Sequence, residues 1–191
     1  MKAVVAAFDL DGTLAERDTL VPYLRMTVGV PRLCTALGLS SFKLLRARFD
    51  RELRDAAKEA VLAATIGGMS EVALRSIGTR YAPTVALNEP IVEKLRAHQL
   101  AGHETVVVSA SPTIYVDAIA ALLGIDAVVA TALEVVDGCV TGRFDGRNCR
   151  ADEKLRRLED WLAGREVELH AYGNSPDDDA MLERADHPVW V

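Results

Sequence analysis

Six apolar residues, Ala3 to Phe8, run without a charge into Asp9-Leu10-Asp11-Gly12. An unbroken Val/Ala run of this length suits a strand buried on both faces, as in a parallel sheet. The two carboxylates stand where such a strand ends. At spacing i and i+2 they lie on the same side of an extended segment. Whatever this chain folds into must bury the run and leave that pair at a strand terminus.

The pattern changes after Thr19. From Leu20 to about Tyr81 no β-like run occurs, and Leu33, Leu37, Leu44 and Leu45 recur at helical spacing. Leu53, Ala57, Ala60, Val61 and Ala64 continue it until Gly67-Gly68, and Ser70-Glu71 has the look of another helix start. The segment reads as an all-helical insert of about four helices. Strand and helix then alternate. Glu89–Gln99 is amphipathic, Thr105–Val108 is a second buried strand, and Pro112 suits the first turn of a helix reaching Leu123. Ala127–Ala130 is a third strand, and Asp137-Gly138 marks a hairpin between Leu133 and Phe144. Helix Asp152–Leu162, strand Glu168–Tyr172, helix Asp178–Arg184 and strand Val189–Val191 complete the chain.

This rhythm predicts an α/β fold: a doubly wound, mostly parallel, Rossmann-like sheet with a small all-helical cap. Residues 1–15 and 84–191 form the core domain and residues 16–83 the cap. Ligands of such sheets bind at the carboxyl ends of the strands. There the topology gathers Asp9, Asp11, Ser109, Asn174 and Asp178.

Composition excludes several functions. The net charge of −6 and the lack of a basic run argue against nucleic acid or an anionic membrane as partner. Cys34, Cys139 and Cys149 are widely spaced with no C-x-x-C pair, so structural zinc is not expected and buried or half-buried thiols are. The short N-terminal apolar run does not make a signal peptide, and no stretch reaches membrane-span length. The expectation is a cytoplasmic protein whose partner is a small molecule handled in a local site.

The chemistry follows from residue types. One carboxylate of the Asp9/Asp11 pair can attack phosphorus, and the other can protonate the leaving oxygen and later deprotonate water. Two anions approach a phosphate dianion only with a cation between them, and Mg2+ is the hard, oxygen-binding choice. Gly12 lets the backbone turn away, and Thr13 offers a hydroxyl. Ser109 and the amides behind it can hold phosphate oxygens near a helix N-terminus. Lys154 can neutralise phosphate and nucleophile together, with Arg150, Arg156 and Arg157 as competitors for the role. The acidic loop Gly173-Asn174-Ser175-Pro176-Asp177-Asp178-Asp179 can complete a magnesium shell.

In order and spacing, Asp9-Leu10-Asp11-Gly12-Thr13, Ser109, Lys154 and Gly173-Asn174-Ser175-x-x-Asp178-x-x-Met181-Leu182 resemble the four motifs of the haloacid dehalogenase superfamily. The helical insert after the first motif resembles the cap of its phosphoserine-phosphatase-like branch. The resemblance implies a phosphatase acting on a small phosphorylated metabolite, with Asp9 as nucleophile and Asp11 as general acid and base, helped into position by Thr13. It implies that Ser109, the Ala110 amide and Lys154 hold the phosphoryl group. Asp9, the Asp11 carbonyl and Asn174 bind Mg2+, with Asp178 acting through water or Lys154. Asp18 stands where phosphoserine phosphatases place an acid for the substrate ammonium.

Two departures stand out. The family usually has Asp where this chain has Asn174, which predicts weaker magnesium binding unless Asp177 supplies the charge. The cap arginine for a substrate carboxylate is missing, since Val61, Leu62 and Ala63 occupy its neighbourhood. Arg51, Arg54 and Lys58 form a stripe on one helix face instead. It is either a solvated face or a basic lid over a second acidic group. A phosphotransferase, and a pseudoenzyme that binds a phosphorylated ligand without turnover, are the alternative functions.

Overall fold

A computed structural model describes residues 2–46 and 51–191, and the side chains of Leu44, Leu45 and Arg51 fall outside the described residues. Five strands form one parallel sheet: β1 (Ala3–Phe8), β2 (Glu104–Pro112), β3 (Ala127–Thr131), β6 (Val167–Gly173) and β7 (His187–Trp190), in the order β3-β2-β1-β6-β7. Chain order reverses at β1, which pairs with β2 on one side and β6 on the other. The carboxyl ends of β1, β2 and β6 therefore open into one crevice at the switch point.

The apolar run of β1 is buried because both of its faces are covered. Ala6 and Phe8 pack on one side with Tyr172 and with Ile91, Val92 and Leu95 of α4 (Glu89–Leu100). Val5 and Ala7 pack on the other with Leu169, Met181, Leu158 and Leu162. The last two belong to α6 (Asp152–Leu162) and Met181 to α7 (Asp179–Arg184). Helix α5 (Thr113–Leu123) ends on left-handed Gly124, as expected, but Pro112 sits at its N-cap and not in its first turn. Strand β2 is longer than its apolar core implies: residues 109–112 stay extended, with a shift in register between Ser109 and Pro112.

Among its described residues the insert is mainly helical. In α1 (Leu20–Arg46) Gly29 adopts φ 75°, outside helical geometry, and Pro31 follows it, so two helical pieces meet at a kink. With α2 (Arg51–Ile66) and α3 (Glu71–Tyr81) the described residues of the segment hold four helical pieces, as many as the sequence suggests. Leu33 and Ala36 occupy the buried face of α1. Cys34, one step round the helix from Leu33, is consequently exposed, which corrects the expectation for that thiol; Cys139 is half-buried and Cys149 buried. Among the described residues no helix is long and apolar enough to cross a membrane.

The predicted hairpin forms as β4 (Leu133–Val136) and β5 (Cys139–Phe144), with positive φ at both Asp137 and Gly138. It leaves the core and clamps the α2–α3 turn. Gly68 N–H donates to the Val140 carbonyl at 2.8 Å, and Val140 N–H to the Met69 carbonyl at 2.9 Å. Gly142 is required at the contact, because a Cβ there would come within 2.3 Å of the Ala63 Cα. The two chain segments joining insert to core run side by side. Ala15 and Leu87 form an antiparallel bridge, with Glu16 N–H on the Ala86 carbonyl at 2.9 Å and Asn88 N–H on the Leu14 carbonyl at 2.9 Å.

Candidate active site

Asp9 leaves β1 directly into the crevice. Its backbone N–H still donates to the Tyr172 carbonyl of β6 at 2.9 Å, so the strand pairing fixes where its side chain starts. The carboxylate is 5% exposed. Lys154 donates to one oxygen at 2.5 Å and the Thr13 hydroxyl to the other at 3.0 Å. Burial pushes the Asp9 carboxyl up to about 6. Lys154 opposes that shift, while Asp178 and Asp11 add to it.

Lys154 projects from the first turn of α6 and is almost wholly buried. Its ammonium also donates to Asp178 at 2.5 Å. Burial alone would lower its pKa, but the two carboxylates hold it above the ordinary lysine value. The competing arginines are engaged elsewhere. Arg156 and Arg157 pair with Glu153, and Arg150 pairs with Asp177 at 3.0 Å and with Asp55 at 3.5 Å. Asp177 is thus turned to Arg150.

Asp178 is fully buried, and both of its oxygens are occupied. One meets Lys154. The other accepts the Asn174 and Ser175 amides at 3.1 and 3.0 Å and the Ser175 hydroxyl at 2.9 Å. This arrangement suits an orienting role and leaves little room for direct coordination. Gly173 permits it, since a Cβ there would press on the Asp178 side chain at 2.6 Å. Asn174 lies against the first motif in the same way: a Cβ on Gly12, which has φ 86°, would meet the Asn174 amide nitrogen at 1.9 Å.

Asp11 turns its carboxylate away from Asp9. One oxygen accepts the Thr19 amide and hydroxyl, each at 2.6 Å, and the other the Ser111 hydroxyl at 2.5 Å. Thr19 is itself held by Tyr115 at 3.1 Å, and its carbonyl accepts from Tyr81 at 2.8 Å. The group expected to position Asp11 was Thr13. The structure gives Thr13 to Asp9, and Thr19 and Ser111 to Asp11. Ser109 is buried, and its hydroxyl accepts the Ser111 amide at 3.0 Å beside Ala110. Asp18 caps α1 by accepting the Val21 amide at 3.0 Å, and burial raises its carboxyl.

Lys58 resolves the basic stripe. It reaches from α2 across to the core and donates to the Ala110 carbonyl at 2.7 Å and to Asn148 at 3.4 Å. Burial pulls its ammonium down to about 8, against the pull of Asp11, Asp55 and Asp18. Lys58 is thus no solvated cation, whereas Arg54 is exposed. Asn148, absent from the sequence reading, ties this contact to Asp55 at 2.7 Å and accepts from Thr131 at 2.9 Å.

The donor set fits Mg2+. Asp9 keeps unused lone pairs. The Asp11 carbonyl is free of the turn's own hydrogen bonds, which go to Asp9, Leu10 and Ala15 carbonyls. The Asn174 side-chain amide could offer a third hard oxygen. Asp9, Asp11 and Asp178 outnumber Lys154 and Lys58 in charge, which favours a cation beside them.

The model of the haloacid dehalogenase-like hydrolase family matches residues 6–183. Protein CicA of Caulobacter vibrioides is 34% identical over 188 residues, 96% of this chain and 83% of that protein. A phosphoserine phosphatase of Archaeoglobus fulgidus is 30% identical over 93% of this chain and 49% of that protein. The crystal structure of a protein of unknown function from Bordetella pertussis superposes with a TM-score of 0.82 at 26% identity, covering all of this chain and 90% of the other.

Proposed function

The chain belongs to the haloacid dehalogenase-like hydrolase family, in its phosphoserine-phosphatase-like branch, and from that premise we propose that it hydrolyses a small phosphate monoester through an aspartyl-phosphate on Asp9. One observation carries the reading: a buried lysine bridges Asp9 and Asp178 while a separate set of donors holds Asp11 apart from them. Two carboxylates in unlike surroundings are suited to unlike tasks.

In the first step an Asp9 oxygen attacks phosphorus and the P–O ester bond breaks. The leaving alkoxide takes a proton from Asp11. In the second step Asp11 takes a proton from water, the water oxygen bonds to phosphorus, and the Asp9–phosphorus bond breaks to free phosphate and carboxylate. Lys154 steadies Asp9 and the transferring group, and Asp178 fixes Lys154. Ser109 and the Ala110 amide hold phosphate oxygens. Bound between Asp9, the Asp11 carbonyl and Asn174, Mg2+ would neutralise charge on the phosphoryl group.

Residues 16–83 act as a cap over a core of residues 1–15 and 84–191, hinged near Ala15–Thr19 and Ala82–Leu87. Lys58 is its cation over the phosphate loop and faces the substrate. In place of the missing arginine, it would meet an acidic substituent or the phosphate itself. Phosphoserine is therefore one substrate to test beside sugar and glycerol phosphates.

With Mg2+ the purified protein should release phosphate from phenyl phosphate and accumulate an acid-stable, hydroxylamine-labile phosphoenzyme. Asp9→Asn should show neither. Equal turnover by Asp9→Asn and wild type would remove the nucleophile assignment, and ligand binding without any turnover would favour a pseudoenzyme.

A further inference from the structure

The chain has four histidines, and all four meet at one place. Strand β6 alternates Leu169 and Ala171 towards one buried layer, which leaves Glu168, His170 and Tyr172 on the other face. His187 of β7 is the register partner of His170 and shares that face. The His170 and His187 rings stack with centroids 4.3 Å apart. From α4, His98 sets its edge against His170 at 4.7 Å, and its two ring nitrogens are engaged by Tyr172 at 2.9 Å and His103 at 2.8 Å.

Within this group Glu168, His170 and His187 each offer one ligand atom, all within 4.8 Å of one another. The Glu168 carboxylate lies 2.8 Å from His187 Nε2 and 3.8 Å from His170 Nε2. A tetrahedral zinc ion with ligands at about 2.0–2.2 Å needs donors roughly 3.3 Å apart. The widest separation would have to close by about 1.5 Å on binding, through side-chain rotation.

We propose that Glu168, His170 and His187 form a second metal site, for a borderline dication of the zinc type. Two imidazoles and one carboxylate select such ions, whereas Mg2+ prefers oxygen alone. The His170 side chain is 22% exposed and that of His187 50%, so a fourth ligand position opens to water. Glu168 precedes Asn174 by six residues of extended chain, roughly 20 Å at the usual strand rise, and the site is remote from the crevice. Its effect is mechanical: it staples the four-residue edge strand β7 to β6, the strand that runs into Asn174.

The test is calorimetric titration of chelator-treated full-length protein with Zn2+ alone as probe, in excess Mg2+ to fill the crevice. Wild type should bind about one zinc and melt at a higher temperature with it. Glu168→Gln, at a half-buried position, and His187→Ala, at an exposed one, should fold, lose at least about tenfold in zinc affinity and lose the thermal shift. Their Mg2+-supported turnover should equal that of wild type. The proposal is overturned if wild type binds no zinc or gains no thermal stability from it. It is equally overturned if both variants bind zinc as wild type does, or if binding disappears in Cys34→Ser instead.

Discussion

Two lysines reach the crevice from opposite sides, and their surroundings treat the same side chain in opposite ways. Lys154 comes up from the core and sits between two carboxylates, which hold its proton more firmly than water does. Lys58 comes down from the helical insert and meets a carbonyl and an amide; among the described residues no carboxylate lies within ion-pair reach of it. Its ammonium is correspondingly easier to deprotonate, near 8. A cation already neutralised by its neighbours is part of the fixed machinery. Lys58 is instead a desolvated cation that Asp11, Asp55 and Asp18 attract only from beyond ion-pair distance. The contrast separates a floor whose cation is neutralised from a roof whose cation is not, and under the proposed function it divides chemistry from recognition.

Breaking the floor should have the largest consequence. Lys154→Met leaves Asp9 and Asp178 buried side by side without their cation. We expect a loss of about 3–5 kcal/mol in denaturant unfolding and a fall in kcat of about a thousandfold. Retained stability would mean that the carboxylates are not jointly dependent on Lys154.

The roof should respond with the opposite sign in stability. Charged Lys58 is disfavoured by burial, so its proton is bound more weakly in the folded than in the unfolded chain. Between pH 8 and the ordinary lysine range the unfolded state holds the extra proton, and the Lys58 contribution to stability rises with pH. At pH 7 its charge is a cost. Lys58→Met should therefore unfold at the same denaturant concentration as wild type or higher, while kcat/KM falls by about 10- to 100-fold, a loss of roughly 1.4–2.7 kcal/mol in transition-state binding. If Lys58→Met destabilises the fold as Lys154→Met does, the distinction between the two sides collapses.

The smallest effect concerns the metal. Asn174→Asp adds one charge beside the same oxygens and should lower the Mg2+ concentration for half-maximal activity by about tenfold or less, with kcat little changed. Equal half-saturation in the two proteins would show that the charge at this position does not limit binding.

The floor was readable in the sequence because its parts sit where regular elements stop. Asp9, Ser109 and Asn174 each follow a buried apolar run, and the topology alone brings three strand ends together. Lys154, lying in a charged helix, was readable only through the spacing of the motifs around it. The partners of Asp11 were hidden for local reasons. Ser111 lies two residues beyond Ser109 on a strand that continues past its apolar core, so alternation could have found it. Thr19 looks like an ordinary residue ahead of a helix. The choice between a solvated face and a lid at Lys58 was not legible, because its contact spans 52 residues and depends on how the β4–β5 hairpin clamps the insert. Periodicity reports which face a residue takes on its own helix, and it is silent on what that face meets.

The paired segments at Ala15 and Leu87 carry a consequence for descent. Chain departs from and rejoins the sheet at neighbouring points, so a change in the length of what hangs between them leaves the positions of Asp9 and Asn174 untouched. Variation can then accumulate in the loop of helices while the reacting atoms stay under separate selection. A lineage built this way can acquire a new substrate without having to reinvent its chemistry.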